Sequence, residues 1–176
     1  FQLTNFQIGF LPTALFLGQF LATLPMGVIS DYIATHKLLL LLMITVGSGF
    51  LLLSTIQQGF IWALFFIMLA GLGYGAMHPI TNKMIIQLYP LQKISLQMGL
   101  KQMSITLGSA LTSIILLSFA EKVGWKVALS GASVGLICFA IIVYFFMRPY
   151  KETFQSFRST ESALWPQLKK LVTSKL

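Results

Sequence analysis

Acidic side chains are close to absent from this chain. Its 176 residues hold four of them, and Asp31 is the only one in the first 120 positions. Charged residues of both signs make up 9% of the sequence, against about a quarter in soluble domains, so the solvated surface of a water-soluble domain is excluded. The one cysteine, Cys138, lies in an apolar run, which excludes an intrachain disulfide and leaves the redox compartment unreadable. Groupings that carry catalysis are missing too: there is no His or Cys cluster at metal spacing, no Gly-x-x-x-x-Gly-Lys loop and no nucleophile elbow. Gly71-Leu72-Gly73-Tyr74-Gly75 lies within an apolar segment and follows no strand, so it is not a dinucleotide site. Neither an enzyme nor a metal or cofactor protein is indicated.

What is present is hydrocarbon. Hydrophobic residues make up 56% of the chain and the mean hydropathy is +0.84. Five runs approach the roughly 20 residues that cross a bilayer as helix. They cover about 6–29, 38–56, 60–80, 97–120 and 127–147, and predict an all-α, polytopic membrane protein. The first run has no basic flank and no small-residue cleavage site, so it is not read as a signal peptide. The chain opens on Phe1 rather than Met, and the expectation is a piece of a longer protein.

Lysine and arginine orient the spans, because short cytoplasmic loops retain them. If the five runs alternate, Lys37, Lys83, Lys93, Lys101, Arg148, Lys151, Arg158, Lys169, Lys170 and Lys175 share one side, and only Lys122 and Lys126 take the other. The seam around Asp31 and the tail 148–176 are therefore expected in the cytoplasm. Topology then accounts for the +8 net charge, the partner is the lipid bilayer, and nucleic acid is not needed. Within the tail, Leu164, Trp165, Leu168, Leu171 and Val172 recur at helical spacing among Lys169, Lys170 and Lys175. This suits either an amphipathic helix on an anionic leaflet or a plain linker.

Small and polar residues fall in stripes. Ala14, Gly18 and Ala22 form a close-packing ridge in the first run, and Gly71 with Gly75 forms another in the third. His78 and Asn82 continue that face. Gly131 and Gly135 read as a packing pair in the fifth run, and the second, with continuous hydrocarbon from Leu38 to Met43, reads as an outer, lipid-facing helix. In the fourth, Leu100, Met103, Leu107, Leu111 and Ile114 suggest a lipid face, with Lys101, Gln102, Gly108, Ser109 and Thr112 on the broad opposite side. Lys101 either points into a cavity or snorkels to the interface. His78 is either a functional intramembrane histidine or a helix-end side chain bonded to a carbonyl. Asp31, in Gly27-Val28-Ile29-Ser30-Asp31 between two apolar runs, is costly to bury alone, which points to a partner or a switching role.

Several of these segments resemble the major facilitator superfamily. Gly27-Val28-Ile29-Ser30-Asp31 is similar to that family's Gly-x-x-x-Asp loop between its second and third helices, with Lys37 nearby. Gly71 to Pro79 resembles its fourth helix, and Gly124-Trp125-Lys126 the Gly-Trp-Arg that opens its sixth. Thr81-Asn82-Lys83, Tyr89-Pro90, Met98-Gly99-Leu100-Lys101-Gln102 and Gly108 resemble bacterial porters of the organic-anion, cyanate and nitrate type. Tyr32, Ala34 and Thr35 replace the basic, glycine and basic residues of the family loop, Ile67 replaces a frequent arginine, and a Gly-Pro-x-x-Gly-Gly motif is lacking. These departures count against proton-coupled drug antiport.

The resemblance implies that the five runs match helices 2 to 6 of a twelve-helix carrier in the bacterial inner membrane, with residues 1–147 a partial N-terminal bundle and 148–176 a cytoplasmic central loop. It implies alternating-access transport of a small solute such as an organic anion, with a coupling ion. Gly27, Asp31 and Lys37 would form the gate loop, and Lys101, Gln102, His78 and Asn82 would be substrate-binding candidates. The first helix and the second half of the transporter would be partners outside this chain. Two alternatives stay open: a drug or metabolite exporter of the same fold, and a non-transporting membrane fragment or interaction partner.

Overall fold

Five helices run through the chain: α1 Asn5–Tyr32, α2 Thr35–Thr55, α3 Phe60–Leu88, α4 Leu91–Val123 and α5 Trp125–Met147. They belong to a computed structural model that describes residues 4–56 and 59–148, and no strand occurs among the described residues. The tail on which the amphipathic-helix expectation rests, from 149 onward, lies outside them. All five helices are long and apolar enough to cross a membrane. At 1.5 Å per residue, α3 and α4 would be about 43 and 50 Å long, well beyond the ~30 Å hydrocarbon layer.

Local chemistry explains where the helices begin and end. Thr4 caps α1 by accepting from the Gln7 amide at 3.3 Å, while the Gln7 side chain accepts from the Thr4 amide at 3.0 Å. Only Ile33 and Ala34, both extended, separate α1 from α2. α4 starts straight after Pro90, and Gly124, at φ +88°, alone joins α4 to α5, a conformation that favours glycine. These boundaries carry the helices past the apolar runs. α3 continues through Asn82 and Lys83 to Leu88 with Pro79 inside it, and α4 begins six residues before Gln97. The apolar runs mark what lies in hydrocarbon, whereas a helix ends only where its backbone is capped or broken.

α3 is the hub, packing extensively on α1 and α2; α2 packs also on α5, α4 meets mainly α5, and α4 touches α3 lightly. The α1–α3 seam is a glycine seam. A Cβ on Gly71 would strike the Leu15 carbonyl oxygen, one on Gly18 the Met68 carbonyl oxygen, and one on Gly75 would lie 2.5 Å from the Gln19 Cα and carbonyl oxygen. Gly131 and Gly135 differ from the sequence expectation, because a Cβ on either would meet nothing within 4 Å. Small-residue spacing shows where a helix can be approached, and which neighbour arrives is a tertiary matter.

α2 also departs from expectation. It is central rather than lipid-facing, lying against both α3 and α5, with Leu38, Leu39, Leu42 and Met43 buried. Two clusters form the interior: Ala22, Leu38, Leu42, Ala76 and Ile80, and Leu39, Met43, Met84 and Ala140. Leucine suits lipid and protein equally, so its run carried no directional signal. The informative residues were glycines: a Cβ on Gly49 would lie 2.8 Å from the Ala70 nitrogen, and one on Gly73 2.8 Å from the Leu42 carbonyl oxygen. Outward, Phe16, Phe20, Ile114, Phe119, Phe145 and Phe146 are exposed, as lipid-facing side chains should be.

Candidate functional site

A cavity of about 660 Å³ opens between the second half of α3 and the first half of α4, closed behind by Leu39 of α2 and Met147 of α5. Its polar fringe is made by His78, Thr81, Gln97, Lys101 and Ser104, with Tyr74 and Tyr89 also on the wall. Helical spacing places them: Tyr74, His78, Thr81 and Ile85 recur at 4, 3 and 4 along α3, and Gln97, Lys101 and Ser104 at 4 and 3 along α4.

Lys101 crosses the gap. Its Nζ donates to Asn82 Oδ1 at 2.6 Å and to the His78 carbonyl oxygen at 3.4 Å. Three of the four sequence-predicted binding residues are thereby brought together. The fourth, Gln102, is exposed on another face of α4 and is not a wall residue. Leu100, expected on the lipid face, borders the cavity instead, because the side of α4 that meets α3 includes Leu100. Lys101 lies about 15 Å along α4 from Leu91, since the helix begins earlier than the sequence suggested. Its amine is held by the neighbouring helix rather than extended along its own. The His78 ring stands edge-on to Tyr74, with centroids 5.5 Å apart and planes at 90°.

The expected gate residues do not lie in a loop. Gly27 and Asp31 belong to the last turns of α1 and Lys37 to the first turn of α2, where it is exposed. No helix breaker follows Gly27 before the extended Ile33, so the helix runs on. Lys83 of α3 donates to the Ser30 carbonyl oxygen at 3.2 Å, placing a cation at the negative end of α1. Beside it, Thr35 and His36 are buried, and the His36 ring lies 5.8 Å from that of Tyr144 on α5.

Sequence reasoning missed Tyr74, Gln97, Thr81 and Ser104 as wall residues, and missed the reach of Lys83. The Gln97, Lys101, Ser104 spacing held the signal for the α4 side. On the outer side of α4, Ser95, Gly99, Gln102, Thr106, Ser109 and Ser113 recur at 4, 3, 4, 3 and 4, and all are exposed. The hydroxyls of Thr106, Ser109 and Ser113 donate to carbonyls of α4 itself. That satisfies their donors and leaves lone pairs facing outward.

Five membrane-length helices around a glycine seam, with a polar-fringed cavity opening between two of them, define a multi-pass membrane protein. The chain belongs to the Major Facilitator Superfamily, whose model matches residues 1–176; its members are secondary transporters of small solutes. Comparisons with curated proteins and with solved structures gave no match.

Proposed function

We propose that this chain forms part of a carrier for a small organic anion in the bacterial inner membrane, with Lys101 supplying the attraction. The observation that carries this reading is the Lys101 ammonium, bonded to Asn82 and His78 of the opposite helix at a cavity whose described wall includes no acid. A cation in a low-dielectric wall favours an anion strongly, and only neutral oxygens hold it here. Asn82 and His78 position the amine, and Ser104 and Gln97 offer further hydrogen bonds. The polar stripe from Ser95 to Ser113 supports a second bundle facing α4, across which the solute site would alternate between the two sides. Asp31 and Lys37, at the α1–α2 corner, serve as the cytoplasmic latch. Lys101→Gln should reduce anion binding by the purified chain at least tenfold while its helicity stays unchanged. Equal binding by both proteins refutes the reading.

A further inference from the structure

The geometry points to an amphipathic monoanion, a single carboxylate or comparable group on an apolar body, as the ligand of the α3–α4 cavity. This inference rests on the anion reading above and adds the substrate class. Three observations carry it. First, Lys101 is the only lysine or arginine on the described wall, and an ammonium has three donors. Two of them already point at Asn82 and His78, so one remains for a ligand oxygen. A dianion would leave its second charge against uncharged groups. Second, much of the wall is apolar: Leu39, Met77, Met84, Ile85, Leu88 and Met147 line it alongside the polar fringe. The three methionines are unbranched and polarizable, and they fit varied apolar shapes. Third, the cavity holds about 660 Å³, within the range of small-molecule pockets and far above the ~30 Å³ that one water occupies in the liquid. An inorganic anion such as nitrate would leave most of the apolar wall against trapped water. Tyr74, Tyr89 and the His78 ring add flat surfaces for an aromatic body.

The same chemistry has two sources, a dissolved carboxylate or the headgroup and chain of an anionic lipid, and the test separates them. The full 176-residue chain is placed in phosphatidylcholine nanodiscs and titrated with acetate, butyrate, hexanoate, benzoate, nitrate, succinate and neutral hexanol, with binding read by saturation-transfer NMR. Affinity should rise about two- to fourfold for each added methylene, with nitrate and succinate at least tenfold weaker than hexanoate. Lys101→Gln should bring hexanoate down to the level of hexanol. Lys101→Arg, which keeps the charge, should retain a preference for hexanoate over hexanol and so separates loss of charge from misfolding. Replacing part of the phosphatidylcholine with phosphatidylglycerol assigns the source: weaker hexanoate binding in the wild type marks a lipid occupant, and unchanged binding marks a dissolved one. Nitrate or succinate binding as tightly as hexanoate, still dependent on Lys101, would overturn the substrate class and leave the anion reading standing. Hexanoate binding no better than hexanol, and unaffected by Lys101→Gln, would overturn both.

Discussion

Adding one methyl group at Gly75 should weaken the bundle, and adding one at Gly131 should not. In the α1–α3 seam the new Cβ of Gly75→Ala would lie 2.5 Å from both the Cα and the carbonyl oxygen of Gln19. Ordinary carbon contacts need about 3.5 Å, so α1 would have to withdraw by about 1 Å. The obstacle is backbone and cannot rotate aside. Overpacking of this kind costs about 1–3 kcal/mol, while alanine gains at most about 0.5–1 kcal/mol over glycine in a helix interior. That gain is an upper value here, because helices persist in the membrane-unfolded chain. Gly75→Ala should therefore lose about 1–2 kcal/mol, and Gly71→Ala, aimed at the Leu15 carbonyl oxygen, should lose at least as much. Gly131→Ala meets nothing within 4 Å and should be neutral or slightly stabilised. Reversible unfolding of purified protein in mixed detergent–SDS micelles, followed by circular dichroism, measures all three. If Gly75→Ala proves as stable as Gly131→Ala, the close seam between α1 and α3 is refuted.

Leu42→Ala should destabilise the protein by about 2–4 kcal/mol, because Leu42 is 1% exposed at the centre of the bundle, while Leu41→Ala, on the outer face of α2, should change little in the same assay. Equal effects would return α2 to the periphery. With Cys138 replaced by Ala, a cysteine at Lys122 should react with an impermeant thiol reagent outside intact cells and one at Lys93 should not; the reverse pattern would invert the orientation. In a full-length carrier, Asp31→Asn should leave membrane abundance unchanged yet reduce solute flux, because an amide keeps the shape of the side chain but loses its charge. Unchanged flux at equal abundance would reduce Asp31 to a helix-end residue.

The helix count was legible because hydrocarbon thickness sets a length and hydropathy reports it directly. Helix ends were less so, since capping and backbone breaks fix them: Pro90 starts α4 six residues before the apolar run at Gln97, and the extended Ile33 stops α1 beyond the end of the apolar run at Ile29. Neighbour relations were legible only in part. Gly18, Gly71 and Gly75 carry the same small-residue signal as Gly131 and Gly135. Only the first three meet a partner helix backbone in the structure. The centrality of α2 was hidden because Leu38 to Met43 would serve lipid as well as protein, and because the closeness it needs is written in Gly49 and Gly73, on two different helices.

At the candidate site, the residues that spacing could group were found on one helix at a time. His78 and Asn82 stood out as a polar continuation of a glycine face, and Lys101 as a cation with no intramembrane acid near it in sequence. What one-helix reasoning could not supply is the register between α3 and α4. That register makes Asn82 the acceptor for Lys101 and leaves Gln102, one residue on, facing away. A step of one residue turns a helical side chain by about 100°, so polar neighbours in sequence are divided between two faces. Lys101, Gln97 and Ser104 go to the cavity, and Gln102, Thr106 and Ser109 go to the outer stripe. The division has a physical consequence. Direct packing between α3 and α4 is slight, so the Lys101 bonds to Asn82 and His78 are a main polar tie across the cavity. An anion bound at the third ammonium donor, as proposed above, would leave that tie in place.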